Sequence, residues 1–347
     1  MGYECALTGH ANGLLSGWCV DTDNPGRPVF LDICWGDQFL RKVRADRPNP
    51  AVERAYGSRG STFYFEVHES FLELLPQGDL LQVLTPSGQP LLPAETLEPQ
   101  PFGNATDGGA ELRSRLDAGC FMDKWGALKL PFRAMPAETR GFHASAMDRT
   151  ARYFRDRHGI TLFPHYGSLL GYARSKSFLP HDDDTDMSFI IEDGDLFRVA
   201  QRFLDLAEAC HDDGLMIRVV GAGQYSVYLP DNGGIGTEVF CSWHVPETGH
   251  FSTYFGVHGQ IDGRIGFFAD RMEGAELAVP DRFRDIMALT YGPDWPIPDP
   301  NFSWSGQVGA LRAVMQELRD AAGVRVEDLA RKGLTRGQPE PVAGLVV

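Results

Sequence analysis

One stretch of the chain, residues 162–191, restricts the fold more than any other part of the sequence. It begins with the apolar run LFP, passes through a Gly-Ser turn into the helical pattern SLLGYARS, and ends in the apolar segment MSFII. Between the helix and that segment, four aspartates lie within five residues: Asp182, Asp183, Asp184 and Asp186. Clustered carboxylates repel one another, and a divalent cation would relieve the repulsion. The stretch therefore predicts a helix and a buried strand joined by an acidic loop, which is either a metal site or a solvated surface loop.

Composition excludes several classes of protein. The 347 residues include 32 Lys plus Arg against 47 Asp plus Glu, which gives a formal charge of −15. This balance argues against a nucleic-acid partner and against a general anionic-membrane surface. A hydrophobic share of 43% is typical of a folded globular protein. We expect neither a signal peptide nor a transmembrane segment, because the N-terminus lacks the signal pattern and no apolar run reaches about 18 residues.

The cysteines are scattered along the chain without a C-x-x-C pair. Their spacing predicts neither a structural zinc site nor a disulfide framework, and it favours a reducing compartment. We therefore expect a cytoplasmic protein, or one bound peripherally at the inner face of the membrane. The six residues are Cys5, Cys19, Cys34, Cys120, Cys210 and Cys241.

Residues 1–95 have the pattern of a small β-sandwich. The runs PVFLDICW and QFLRKVRA flank Gly36-Asp37, a two-residue hairpin signal, and STFYFEVH alternates with Phe63, Phe65 and Val67 on one face. Short strands separated by Gly and Pro are typical of an all-β accessory domain. Its role stays open between glycan binding, homo-oligomer formation and a structural appendage.

The remaining chain predicts a second, mixed domain. Residues 96–119 are rich in Pro, Gly and Asn and indicate a linker. Residues 120–325 alternate helical and strand-like patterns and form the predicted catalytic domain, and 326–347 form a tail. Helices are expected from 137 to 159, within 193–214 with Asp193 or Asp195 as the cap, through VPDRFRDIMALTYG, and from 308 to 322.

The second domain carries residues suited to phosphoryl chemistry. Gly167 and Ser168 stand at a helix N-terminus, where backbone N–H groups and a hydroxyl form a phosphate cradle, and Arg174 could pair with phosphate oxygens. Asp184 and Asp186 are two residues apart, so on a strand they project to the same face. Hard oxygen ligands of this kind suit Mg²⁺ or Mn²⁺.

Neighbouring residues receive less definite roles. Glu238, in the apolar strand GTEVFCSW, could supply a third acid from a neighbouring strand, or it could face outward. By the same alternation, Asp183 is expected to face away from its neighbours. His165 and His181 flank the acidic motif and could contact a ligand or be ordinary loop residues.

The detailed string HYGSLLGYARSKSFLPHDDDTDMSF resembles the LicD/fukutin family of phosphotransferases. The signature of that family runs G-[ST]-L-L-G-x-x-R-x-x-x-x-[IL]-P-W-D-D-D-x-D. Two later blocks, TEVF and LTYGPDWPIP, resemble its acidic strand and its C-terminal Tyr-Gly…Trp…Pro signature. The resemblance covers residues 162–298 and leaves out the N-terminal β module.

The resemblance implies an α+β fold with a nucleotidyltransferase-like mixed sheet and flanking helices. It also implies a Mg²⁺- or Mn²⁺-dependent enzyme that moves a ribitol-, choline- or glycerol-phosphate group from a CDP-linked donor to a sugar hydroxyl. The acceptor would be a surface glycan or a lipid-linked saccharide. Carried over by position, the catalytic and metal-binding residues are Asp182, Asp184, Asp186 and Glu238, and the donor-binding residues are Gly167, Ser168, Arg174 and His181.

The sequence departs from the family pattern at two positions, and other functions stay open. His181 replaces the usual Trp, and Glu238 stands where Asp is common, so the identity of the substrate is in question. One alternative is a nucleotidyltransferase acting on a small alcohol or sugar. Others are a non-catalytic glycan-binding protein and a structural Ca²⁺ site in the acidic loop.

Overall fold

The chain divides into two compact units, Met1–Ala134 and Met135–Val347. A computed structural model of the chain describes residues 2–58, 60–123, 125–230, 233–255, 257–298, 316–323, 325 and 329. The first unit is built mainly of antiparallel strands, and the second is a mixed α+β unit. The predicted fold class is confirmed.

Two three-stranded antiparallel sheets form the first unit, with strand orders β1-β2-β5 and β4-β3-β6. Their apolar faces share one core, to which Leu15 and Phe63 contribute from one sheet and Leu31 and Val83 from the other. This is the sandwich arrangement predicted from the alternating pattern. Its elements are β1 (Tyr3–Ala11), β2 (Leu14–Asp21), β3 (Val29–Trp35), β4 (Gln38–Ala45), α1 (Pro50–Tyr56), β5 (Thr62–Glu66), α2 (Glu69–Leu72), β6 (Gln82–Leu84), α3 (Ala110–Asp117), β7 (Phe121–Met122) and β8 (Leu128–Lys129).

The predicted hairpin and the predicted alternation are both present in this unit. Gly36 adopts a φ of 58° between β3 and β4, the left-handed conformation that a two-residue hairpin turn requires. Phe63, Phe65 and Val67 are all buried. Local sequence therefore determines this hairpin, because its turn residues and its flanking strands both favour the same structure.

The cysteine spacing predicted no disulfide framework, but the first unit contains one disulfide. Strands β1 and β2 pair so that Cys5 lies opposite Cys19, with Cα atoms 4.1 Å apart, and the two form a disulfide. The other four cysteines are free, and three of them, Cys34, Cys210 and Cys241, are buried. The reducing compartment was expected because no cysteines were predicted to pair, and the disulfide removes this argument.

The first unit extends beyond the boundary expected from composition. Residues 96–119, interpreted as a linker, contain α3, and Leu112 of that helix is fully buried in the core of the first unit. Met122 of β7 lies in the same core. The Pro- and Gly-rich segment is therefore part of a folded unit that ends at Ala134.

A seven-stranded mixed sheet forms the centre of the second unit. Its main order is β11-β12-β13-β10-β9, and β14 and β15 continue it beside β13. Within it, β10 and β13 run parallel, whereas the other pairs are antiparallel. The elements are α4 (Ala137–His158), β9 (Phe163–Pro164), α5 (Tyr166–Ser175), β10 (Asp186–Ile191), α6 (Leu196–Asp212), β11 (Met216–Gly221), β12 (Gln224–Tyr228), β13 (Thr237–Val245), β14 (His250–Thr253), β15 (His258–Gln260), β16 (Phe267–Met272), β17 (Ala275–Pro280) and α7 (Phe283–Tyr291).

The two long helices of this unit follow their sequence signals. In α4, Ala146, Thr150 and Phe154 are buried, and Gly159 ends the helix in a left-handed conformation. In α6, the side chain of Asp195 accepts hydrogen bonds from the backbone N–H groups of Phe197 and Arg198. Both predicted helices are confirmed, because an apolar stripe and a capping residue agree in each.

The C-terminal part is described only in short pieces. Residues 316–322 are helical, within the helix predicted from 308 to 322, whose first part lies outside the described residues. The predicted tail, 326–347, lies outside them except for Leu329. In the part of the chain that the structure describes, no helix has the length and apolar character needed to cross a membrane.

Candidate active site

The start of α5 is tied directly to the start of β10. The backbone N–H of His165 donates to the carbonyl oxygen of Asp186 at 2.9 Å. The backbone N–H of Asp186 donates to the Ser168 hydroxyl at 2.9 Å, and Ser168 is 2% exposed. These bonds hold the first turn of the helix, whose backbone N–H groups have no acceptor within the helix, beside the acidic loop.

Gly167 leaves the space that the acidic loop occupies. A Cβ atom at this position would lie 2.3 Å from Oδ2 of Asp182 and 3.8 Å from Oδ2 of Asp186. The first distance is far below van der Waals contact. Only glycine therefore allows the Asp182 carboxylate to approach the helix this closely.

Three aspartates of the loop converge. One carboxylate oxygen from each of Asp182, Asp183 and Asp184 lies within 4.8 Å of the others, and all three residues are half-buried. The prediction that Asp183 faces away is wrong. Residues 182–185 are an irregular loop and β10 begins only at Asp186, so strand alternation does not apply to Asp183.

The electrostatics of the loop suit a divalent cation. Burial, together with the carboxylates of Asp184 and Asp183, raises the pKa of Asp182 well above its usual range. A bound cation would reverse that shift, because it stabilises the ionised carboxylates. The ligand set is made only of carboxylate oxygens, which Mg²⁺ and Mn²⁺ prefer, so these residues fit such an ion.

Two further acids lie side by side on the parallel strands. Asp186 of β10 is the register partner of Glu238 of β13, so the two side chains lie on the same face of the sheet. Oε2 of Glu238 accepts a hydrogen bond from Nε2 of Gln224 on β12 at 2.8 Å. The sheet thus brings the predicted later acid next to the acidic loop.

Residues 159–261 match the family model described as LicD/FKTN/FKRP, nucleotidyltransferase domain. Residues 159–261 are similar to that family, and this region is called the LicD domain below. The matched residues include the Gly-Ser turn, the acidic loop and Glu238. No curated protein matches the chain. The LicD domain suggests a transferase of the phosphotransferase type.

Within the LicD domain, Arg174 contacts backbone carbonyls that follow α7. Its Nε donates to the carbonyl oxygen of Trp295 at 3.0 Å, and its Nη2 donates to that oxygen and to the carbonyl of Ile297. His181 is exposed, in the turn that precedes the acidic loop. The donor-binding roles expected for these two residues stay predictions.

Two residues near the acidic loop were missed in the sequence. Burial, and to a smaller extent the charges of Asp186 and Asp182, raises the pKa of Tyr291. Burial lowers the pKa of His143, and the charge of Asp184 opposes that change. Tyr291 belongs to the LTYGPDWPIP block, which could have indicated it, whereas His143 lies on a helix that was interpreted as core packing.

His165 is fully buried between aromatic rings. Its ring centroid lies 4.1 Å from that of Tyr166 and 5.5 Å from that of Phe163. Neither ring nitrogen has a hydrogen-bond partner among the described residues, and burial lowers the pKa of His165 to about 3. This environment favours a neutral core histidine over a ligand contact.

Gln224→Leu tests whether the orientation of Glu238 matters. The variant removes the hydrogen bond to Glu238 while keeping a side chain of similar size, so the carboxylate loses its support. We expect activity to fall about tenfold, the usual scale for losing a residue that orients a ligand. The measurement is the initial rate of donor consumption. Gln260→Leu, which removes a bond to the Thr248 carbonyl, is the control and should keep full activity.

Proposed function

We propose that the LicD domain transfers a phospho-alcohol group from a CDP-linked donor to a sugar hydroxyl, with Mg²⁺ or Mn²⁺ as cofactor. The observation that carries this proposal is the convergence of three loop aspartates beside the first turn of α5. A site of clustered carboxylates can bind an anionic donor together with a divalent cation, because the cation offsets the negative charge of the carboxylates and of the donor.

Asp182, Asp183 and Asp184 would hold the ion, with Asp186 next to them at the start of β10. When bound, the metal neutralises charge on the diphosphate of the donor and on the departing nucleotide. The backbone N–H groups in the first turn of α5 would bind a phosphate oxygen, because they have no acceptor inside the helix. The Ser168 hydroxyl already accepts from Asp186, so its role is to fix the loop.

Glu238 would orient the acceptor hydroxyl and take its proton. The oxygen of that hydroxyl forms the new P–O bond, the P–O bond to CMP breaks, and the proton passes to the carboxylate. Gln224 holds one oxygen of Glu238 in a fixed direction. The acceptor in this proposal is a surface glycan or a lipid-linked saccharide.

The direct test measures which nucleotide product appears. Incubation with Mn²⁺ and CDP-ribitol, CDP-choline or CDP-glycerol should release CMP when a saccharide acceptor is present. A nucleotidyltransferase would instead release pyrophosphate from a nucleoside triphosphate and an alcohol. Pyrophosphate release without CMP release from any CDP-alcohol would contradict the proposal.

A further inference from the structure

Arg174 lies in the last turn of α5 and bonds to a segment far away in the sequence. Its guanidinium donates to the carbonyl oxygens of Trp295 and Ile297, at 3.0 Å from Nε and 3.2 Å from Nη2 respectively. Because Nε and Nη2 of the planar guanidinium both donate hydrogen bonds, the direction of the side chain is fixed. The Nε–Nη2 edge of the guanidinium could bind a donor phosphate only by breaking these bonds.

Residues 292–297, called here the turn segment, follow directly on α7. Two backbone hydrogen bonds between residues three apart shape it. The N–H of Trp295 donates to the carbonyl oxygen of Gly292 at 3.2 Å, and the N–H of Ile297 donates to the carbonyl oxygen of Asp294 at 2.9 Å. Gly292, at a φ of 88°, ends the helix. The carbonyls of Trp295 and Ile297 both accept from Arg174; the bonds to Trp295 are half-buried, and the bond to Ile297 lies at the surface.

The turn segment adjoins Tyr291, the last residue of α7. Burial raises the pKa of Tyr291; the charges of Asp186 and Asp182 add to this shift, and the charge of Arg174 opposes it. Helices α5 and α7 also pack together, with the ring centroids of Tyr172 and Phe283 5.9 Å apart. The end of α7 is therefore fastened to the last turn of α5, and Arg174 makes the hydrogen bonds at this junction.

We propose that Arg174 is a positioning residue that fixes the turn segment and thereby holds Tyr291 beside the acidic loop. Other groups, above all the first-turn backbone N–H groups of α5, then bind the donor phosphate. The kinetic part of this inference rests on the proposed function. The structural part does not, because the bonds exist in the protein without donor.

Hydrogen exchange of the protein without metal or donor tests the structural part. Arg174→Gln removes the hydrogen bonds from the guanidinium to the two carbonyls, so the turn segment should open more often. The backbone N–H groups of Trp295 and Ile297 should then exchange about tenfold faster. Arg174→Lys should give a smaller increase in the exchange rate, since the ammonium group keeps a charged donor but lacks the planar geometry of the guanidinium. Lys176→Gln is the matched control. Lys176 pairs with Asp270, so its replacement should leave the turn segment unchanged. Unchanged exchange in Arg174→Gln would overturn the proposal.

Kinetics with the donor test the functional part. A positioning role predicts that Arg174→Lys lowers kcat and changes the donor KM by no more than about twofold. It also predicts that adding Arg174→Lys to Tyr291→Phe lowers kcat little further, because both changes affect the same group. A higher donor KM with unchanged kcat would overturn it and assign Arg174 to phosphate binding. If no CDP-alcohol is turned over, the proposed function fails, while the exchange experiment still decides the role of Arg174.

Discussion

Asp184→Asn is expected to lower the rate of CMP release on the order of 10³-fold, because it removes a charge from the centre of the proposed metal site. The amide keeps the shape of the side chain, so the fold should be unchanged. In the protein without metal, the melting temperature should rise, since Asp184 is one of the charges that raise the pKa of Asp182. The stabilisation by Mn²⁺ should disappear.

These three readouts separate the metal site from its alternatives. Asp212→Asn, which changes an exposed aspartate at the end of α6, should match the wild-type protein in all of them. Full activity in Asp184→Asn would contradict the metal assignment. A structural Ca²⁺ site would give a different pattern: chelation would lower the melting temperature strongly, and donor binding would not depend on the ion.

Gly167→Ala is expected to reduce activity about 100-fold without unfolding the protein. The added Cβ would lie 2.3 Å from the Asp182 carboxylate, which has to move, and a displacement of about 1 Å at a reacting centre has an effect of this size. Alanine favours a helix over glycine by about 1 kcal/mol, so α5 should still form. The measurements are the rate of CMP release and the melting temperature.

Gly141→Ala is the matched control for this prediction. Gly141 also lies inside a helix, but a Cβ there would meet no atom within 4 Å. This variant should keep full activity and gain about 0.5–1 kcal/mol in the free energy of unfolding. Equal activity in the two alanine variants would show that the close approach of Asp182 is not required.

Sequence periodicity predicted the elements of the site more reliably than the directions of its side chains. Helix α5, the acidic loop and β10 follow one another as expected, because each has a local signal, although α5 begins before the Gly-Ser pair, at Tyr166. The orientation of Asp183 was wrong, since the strand begins after the loop and alternation starts only there. The partners of Arg174 were not predictable, because they depend on how α7 packs against α5.

Pairing between distant strands is the other part that local patterns do not determine. Glu238 was a candidate as an acid in an apolar strand and through the family resemblance, but its place beside Asp186 depends on the register of β10 and β13. The disulfide of the first unit has the same origin. Cys5 and Cys19 are brought together by the register of β1 and β2, whereas their sequence spacing carried no signal.

The parallel pairing of β10 with β13 also sets the order in which the site can be assembled during synthesis. The paired residues are 52 positions apart, as Ser188 and Phe240 are, and their contact requires the closure of a long loop. A ribosome therefore releases the acidic loop well before the strand that carries Glu238. Until that strand has been made, the nascent chain can present the aspartates to metal ions but lacks the proposed proton acceptor.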